Sequence, residues 1–382
     1  MLGGALAVLV FGQIAPADAL QAIDPDVMLF LFGMFVVGEG LVQSGDLATL
    51  AHRLFFRAAD AHQIVLLIIF GLGTLSAILM NDTLAIIGTP LVLALAARHH
   101  MPPKLLLLTL AFAITTGSVM SPMGNPQNLL VAMGAGMPSP FVTFGLYLLL
   151  PTMISLFAAY GVLRFFYRDA FTNDVPFPER TLPERGSRLS SPVVCSLALI
   201  LILTTVKIAA SLTGIALPIS LPFIALSAAA PILLLSEKRV AVLRGIDWAT
   251  LVFFAAMFVL MQSVWDSGVF QLLISAETVT GVPVIIALAV VVSQFISNVP
   301  FVALFQPMIL EAGGTTAQLM ALAAGSTIAG NLTILGAASN VIIIQNAERE
   351  GETLSFFEFA RIGIPLTIIQ AGIFGIWLIL VF

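Results

Sequence analysis

Apolar runs near 26–43, 104–136, 139–163, 192–213, 217–236, 247–265, 316–346 and 361–382 dominate this chain. Each is long enough to cross a bilayer, which takes about 20 predominantly apolar residues in a helix. Only 9% of the 382 residues are charged, against about 25% in soluble domains. So few charges cannot cover a water-facing surface of this size, so lipid is the solvent for most of the chain. The single cysteine, Cys195, excludes an internal disulfide or a multi-cysteine metal site. No basic tract offers a nucleic-acid surface. Residues 1–14 lack a basic leader and read as part of a spanning helix rather than a cleavable signal.

Two of the runs, 104–136 and 316–346, are too long and too rich in Gly, Asn and Ser for plain helices. They read as broken transmembrane helices. Two further regions, 61–97 and 281–311, hold two apolar arms around a polar centre and read as helical hairpins that enter the membrane and return. Backbone broken at membrane depth is tolerated only where it lines a cavity or is buried in protein.

Charge placement supports this layout. With residues 1–14 starting inside, the inner segments are 44–60, 98–104, 164–191, 237–246 and 346–361. They hold fourteen of the fifteen Lys and Arg residues, and only Lys207 lies within an apolar run, where its head is expected to snorkel outward. The expectation is a multi-pass inner-membrane protein with its first residue cytoplasmic and Phe382 outside. The charged, proline-bearing segment 164–191 reads as a cytoplasmic linker between residues 1–163 and 192–382.

Those two segments repeat. Residues 22–45 align without gaps to 245–268, and Ile23-Asp24 and Ser44-Gly45 recur as Ile246-Asp247 and Ser267-Gly268. Asn81 with Pro90 matches Asn298 with Pro307 at one spacing. Ser121, Gly124 and Asn128 match Thr333, Gly336 and Asn340 at another. Five crossings separate equivalent points, and an odd number means the repeats are inverted, the signature of secondary transporters. The fold class is an all-α polytopic membrane protein, an inverted-repeat secondary transporter with two hairpins, two broken helices and about nine spans. The second half has a leading helix at 192–213 with no partner in the first, so the first repeat is expected to lack its leading helix.

The polar residues of hairpins and breaks should meet near the midplane. Half-helix starts offer N–H groups to an anion, and freed carbonyls with Asn, Ser and Thr oxygens suit a cation. The candidate substrate- and ion-binding residues are Asn81, Asp82 and Thr83 at one tip and Ser297 and Asn298 at the other. Ser121, Gly124, Asn125 and Asn128 in the first break and Thr333, Gly336, Ser339 and Asn340 in the second complete the set. Gly124 and Gly336 would let backbone approach a ligand. Asp82 is the sharpest candidate, because an ionisable group in a membrane-embedded turn is costly; its alternative role is to cap the second arm. Its counterpart is Val299, so coupling would be asymmetric. Glu39 is a second intramembrane acid, cavity-facing or interfacial. His52, His62, His99 and His100 fall near inner loops and read as interfacial. No arrangement suggests nucleophilic catalysis, an enzyme or a zinc site.

At these residues the chain resembles the ion transporter superfamily, which includes arsenite permeases, Na⁺/H⁺ antiporters of the NhaD type, citrate–Mg transporters and divalent-anion/Na⁺ symporters. Asn81-Asp82-Thr83 through Thr89-Pro90 resembles the hairpin of arsenite permeases, and Gly124-Asn125-Pro126-Gln127-Asn128 resembles the break of the divalent-anion branch. That branch carries Ser-Asn-Thr at both tips; here Met80-Asn81-Asp82-Thr83 and Ser297-Asn298-Val299 depart from it, which favours proton coupling or a single cation. The resemblance implies a permease that moves a small anion (arsenite, a carboxylate or a similar oxyanion) by an elevator-like or rocking movement. It would have no cofactor beyond a coupling Na⁺ or H⁺. The expected partners are the anion and the bilayer, with a homodimer left open. A Na⁺/H⁺ antiporter on the same scaffold is the alternative.

Overall fold

A computed structural model describes residues 1–45, 60–172, 190–273 and 281–382. Among them every regular element is a helix. In chain order these are α1 (Leu2–Val10), α2 (Pro16–Ala22), α3 (Pro25–Ser44), α4 (Ala61–Leu79), α5 (Asn81–Arg98), α6 (Pro103–Ser118), α7 (Pro126–Gly134), α8 (Pro140–Phe166) and α9 (Arg168–Thr172). The later helices are α10 (Ser191–Leu212), α11 (Leu221–Leu235), α12 (Arg239–Gly245), α13 (Trp248–Asp266), α14 (Val269–Leu273), α15 (Val282–Ile296), α16 (Asn298–Glu311), α17 (Thr316–Ile328), α18 (Ala338–Arg349) and α19 (Phe356–Val381). Arg53, Arg57, Arg180, Arg185 and Arg188, with His52 and most of the 164–191 linker, lie outside the described residues.

The repeated Ile-Asp and Ser-Gly pairs are the start and stop signals of equivalent helices. Asp24 caps α3 by accepting from the N–H groups of Asp26 and Val27, and Asp247 caps α13 by accepting from Thr250. Beyond each helix lies a glycine in the left-handed region, Gly45 at φ 75° and Gly268 at φ 70°.

Both hairpins are present. α4 and α5 are joined through Met80 alone, and α15 and α16 through Ser297 alone. One residue can reverse the chain only in an unusual conformation: Met80 sits at φ 64°, ψ 144° and Ser297 at φ 73°, ψ 159°. This region is almost reserved for glycine and costs about 1–3 kcal/mol per residue. Two equivalent tips thus carry equivalent strain. α4 also contains a wide π turn over Leu67–Leu72, which α15 lacks.

Both long runs are broken as expected, between α6 and α7 and between α17 and α18. α6 from Leu105 to Ser118 and α17 from Leu319 to Ile328 are buried throughout. These two form the centre of the bundle. α8, α10 and α19 lie outside, with exposed apolar side chains such as Phe157, Ile202 and Ile376 toward lipid.

The halves interlock reciprocally. α5 packs on α18 and its counterpart α16 on α7; α6 packs on α18 and its counterpart α17 on α7. α3 packs on α11 as α13 packs on α1. Where α3 meets α11, a Cβ on Gly33 would lie 2.7 Å from the carbonyl carbon of Ala225, the small-residue packing of membrane helices. The exchange of partners is that of a pseudo-two-fold relation, as the inverted repeat requires.

Within residues 1–14, read as part of a spanning helix, α1 ends at Val10, and Gly12, at φ 68°, turns the chain toward α2. Its 9 residues rise only about 14 Å, less than half the hydrocarbon core. Residue 1 aligns with residue 224, so α1 corresponds to the later part of α11.

Candidate transport site

Four chain ends converge on a cavity of about 350 Å³. Its wall carries Asn81 and Asp82 from the first tip, Ser297, Asn298 and Val299 from the second, Pro126 and Gln127 from the start of α7, and Ala337 and Ala338 from the start of α18. Asp247, Thr250, Phe253 and Phe254 of α13 close the remaining side. A second, smaller cavity adjoins the first tip and shares Asp82, Asp247, Thr250 and Ala338; Thr83, Gly38 and Glu39 also line it, among apolar side chains such as Phe35, Ile86 and Ile342.

Of the residues singled out in the sequence, Asn81, Asp82, Ser297 and Asn298 reach the larger cavity and Thr83 the smaller. The eight residues of the breaks do not line either wall. They stand behind it and shape it. Asn128 donates to the carbonyls of Ser118 and Ser121 at 3.1 and 3.0 Å, and Asn340 donates to those of Gly330 and Thr333 at 2.6 and 3.3 Å. Each amide thus ties its break to the end of the preceding helix, and the acceptors are equivalent in the two halves. The glycines belong to the same device. A Cβ on Gly124 would meet the Ser118 carbonyl oxygen at 2.2 Å, and one on Gly336 would meet that of Ala329 at 2.5 Å. The close approach that requires glycine is to the chain's own backbone.

The remaining break residues follow. Asn125 caps α7, its Oδ1 accepting from Asn128 N–H at 2.9 Å, and donates through Nδ2 to Ser118 Oγ at 2.9 Å. Ser121 Oγ accepts from Met123 N–H at 3.2 Å. Thr333 donates to Gln294 Oε1 at 2.8 Å, and Gln294 donates onward to Ala329 at 2.9 Å, tying the second hairpin to the second break. Ser339 is buried with an unpartnered hydroxyl.

The electrostatics of the wall are one-sided. Asp82 and Asp247 both face the larger cavity, and among the described residues no Lys, Arg or His lines it. Asp247 is anchored by its capping bonds to Thr250 at 2.9 and 2.6 Å. Nothing among the described residues donates a side-chain hydrogen bond to Asp82. Asn298 Oδ1 is buried and unpartnered as well. The arrangement offers oxygen acceptors to a cation or proton, and two helix starts to an anion.

Sequence reading missed Asp247, Thr250 and Gln127. Asp247 carried a signal, since it recurs as Asp24, but it counted there only as a mark of the repeat. Glu39 lines the smaller cavity and accepts from Gln43 at 2.6 Å, against Gly245 of the neighbouring chain segment. Lys207 reaches the Leu217 carbonyl at 3.4 Å, at the loop after α10, in keeping with snorkelling.

The fold recurs in the crystal structure of the YdaH transporter of Alcanivorax borkumensis, with a TM-score of 0.62 at 15% identity over 94% of this chain and 86% of that one. In sequence, the chain is 28% identical to a 46 kDa membrane protein of Mycobacterium leprae, covering 93% of this chain and 86% of that protein. It is 26% identical to a silicon efflux transporter of Oryza sativa subsp. japonica, covering 97% and 90%. Residues 1–319 match the family profile described as citrate transporter. With that match running from the first helix through both hairpin tips and the first break, the chain is a multi-pass membrane protein that belongs to the citrate transporter family.

Proposed function

We propose that the chain is a secondary active transporter that carries a small anion, a carboxylate such as citrate, arsenite or a similar oxyanion, across the inner membrane, coupled to H⁺ or Na⁺. The observation that carries this reading is the convergence of both hairpin tips and both post-break helix starts on one cavity. Helix starts at Pro126 and Ala338 attract negative charge. The carboxylates of Asp82 and Asp247 repel a bare anion, so the anion has to travel with a cation or proton. The distribution of Lys and Arg supports an orientation with the chain's first residue on the cytoplasmic side and Phe382 outside. The cavity then runs from the tips toward the cytoplasmic end of α13.

The test is uptake of radiolabelled citrate, arsenite, silicate and a dicarboxylate panel into proteoliposomes, with and without imposed pH and Na⁺ gradients. Saturable flux that follows a gradient supports the proposal; no gradient-dependent flux of any anion overturns it. The acidic wall without a basic residue favours a second reading, a Na⁺/H⁺ antiporter. That reading requires Na⁺-triggered proton release, seen with a pH-sensitive dye and abolished by Asp82→Asn, with no anion moving.

A further inference from the structure

The two helix breaks match residue for residue, and the match exposes one unequal contact. Thr115, Ser118, Ser121, Gly124 and Asn128 correspond to Thr327, Gly330, Thr333, Gly336 and Asn340. The amide nitrogens of Asn128 and Asn340 do the same work. Their oxygens do not. Asn128 Oδ1 accepts from the hydroxyl of Thr327 at 3.1 Å, a bond from one half to the other. The equivalent donor for Asn340 is Thr115, on α6, which packs on α18 as α17 packs on α7. Yet Thr115 Oγ1 and Asn340 Oδ1 are both buried, and neither has a partner among the described residues. They are neighbours through Gly330: its carbonyl accepts from Asn340, and a Cβ placed on it would lie 3.1 Å from Thr115 Cγ2.

The sequence explains why one contact is made and the other is not. Thr327 Oγ1 also accepts from the amides of Asn125 and Gln127, at 3.2 and 3.4 Å. Their counterparts are Ala337 and Ser339, which carry no amide. Two further side chains fix the first contact, and none fixes the second. A buried hydroxyl and a buried amide oxygen on adjoining elements, with neither paired, are costly to keep, and the cost is relieved when the two meet.

We propose that Thr115 and Asn340 form an open latch that closes in another state of the transport cycle; this rests on the transport reading above. The first break is the fixed one and the second the moving one. Thr115 is then a positioning residue. It acts through Asn340 on the start of α18, where Ala337 and Ala338 stand on the cavity wall. Closing the latch shifts that wall segment and with it access to the helix start.

The test replaces Thr115 by Val, which keeps the shape and removes the hydroxyl, and by Ser, which restores it. Thr115→Val should leave the unfolding temperature unchanged or slightly higher. Hydrogen exchange of residues 329–340 should rise about tenfold, since a latch that closes part of the time protects the break. Turnover of labelled citrate in proteoliposomes should fall about tenfold with KM unchanged, as for a group that acts on a conformational step. Thr115→Ser should return both toward wild type. Unchanged exchange in Thr115→Val overturns the latch, and so does unchanged turnover wherever the wild type transports. A drop in unfolding temperature with faster exchange throughout the chain also overturns it, since that is loss of packing. If wild-type protein moves neither citrate nor any other anion of the panel, the anion reading is at fault and the exchange measurement alone decides.

Discussion

The backbone N–H of Asn81 donates to the carbonyl of Gly124 at 2.9 Å, joining the first hairpin tip to the first helix break. Among the described residues no such bond joins Asn298 to Gly336. The second hairpin is tied to its break further back, by the side chain of Gln294. The first tip is therefore held at Asn81, between its reversing residue Met80 and Asp82, and the second is held by an arm.

Gly124→Ala should break that junction. Its methyl would enter the space of the Ser118 carbonyl, a backbone group that cannot rotate away. The expected loss is about 3 kcal/mol, the upper end of the usual range for overpacking, because the obstacle is backbone. Thermal unfolding in detergent would show it, and Gly336→Ala should behave alike.

Asp82→Asn should separate stability from coupling. Its carboxylate takes no side-chain hydrogen bond in the fold, so neutralising it should leave the unfolding temperature unchanged or raise it. Proteoliposome flux, in contrast, should lose its dependence on the driving gradient. A mutant whose flux still follows the gradient like wild type would remove Asp82 from the coupling step.

Ser297→Gly should stabilise the protein by about 1 kcal/mol by removing the left-handed strain at the tip. Met80→Gly should not, because Met80 is fully buried and truncating such a side chain costs about 2–5 kcal/mol. Chemical denaturation of the two variants side by side checks the opposite signs.

Gln370→Leu should cost about 1–3 kcal/mol, the penalty of stranding buried polar partners. Gln370 accepts from Asn331 at 2.9 Å and donates to Thr116 at 2.8 Å, linking α19 to α6 and to the second break. The replacement leaves transport geometry at the cavity wall untouched, so any flux change should follow stability and recover on cooling.

The hairpins and breaks were legible in the chain because their signals are local. Asn81 with Pro90 and Asn298 with Pro307 mark a reversal whatever surrounds them, and a Gly-x-x-x-Asn spacing marks a break that must fold back on its own carbonyls. The cavity wall was less legible. Asp24 and Asp247 are the same local signal, a helix cap, and only the packing of the two halves turns Asp247 toward Asp82 while leaving Asp24 elsewhere. The break asparagines pointed to the right place for a different reason: their nitrogens are occupied by backbone carbonyls, and Gln127 and Ala338 face the cavity instead.

The reciprocal packing also dictates an order of assembly. α7 is covered by α16 and α17, which lie more than 150 residues later in the chain. During synthesis the first half therefore waits in the membrane with Asn125, Gln127 and Asn128 lacking Thr327, their partner across the halves. The interlock that builds one shared cavity thus makes the two halves a single unit of biogenesis.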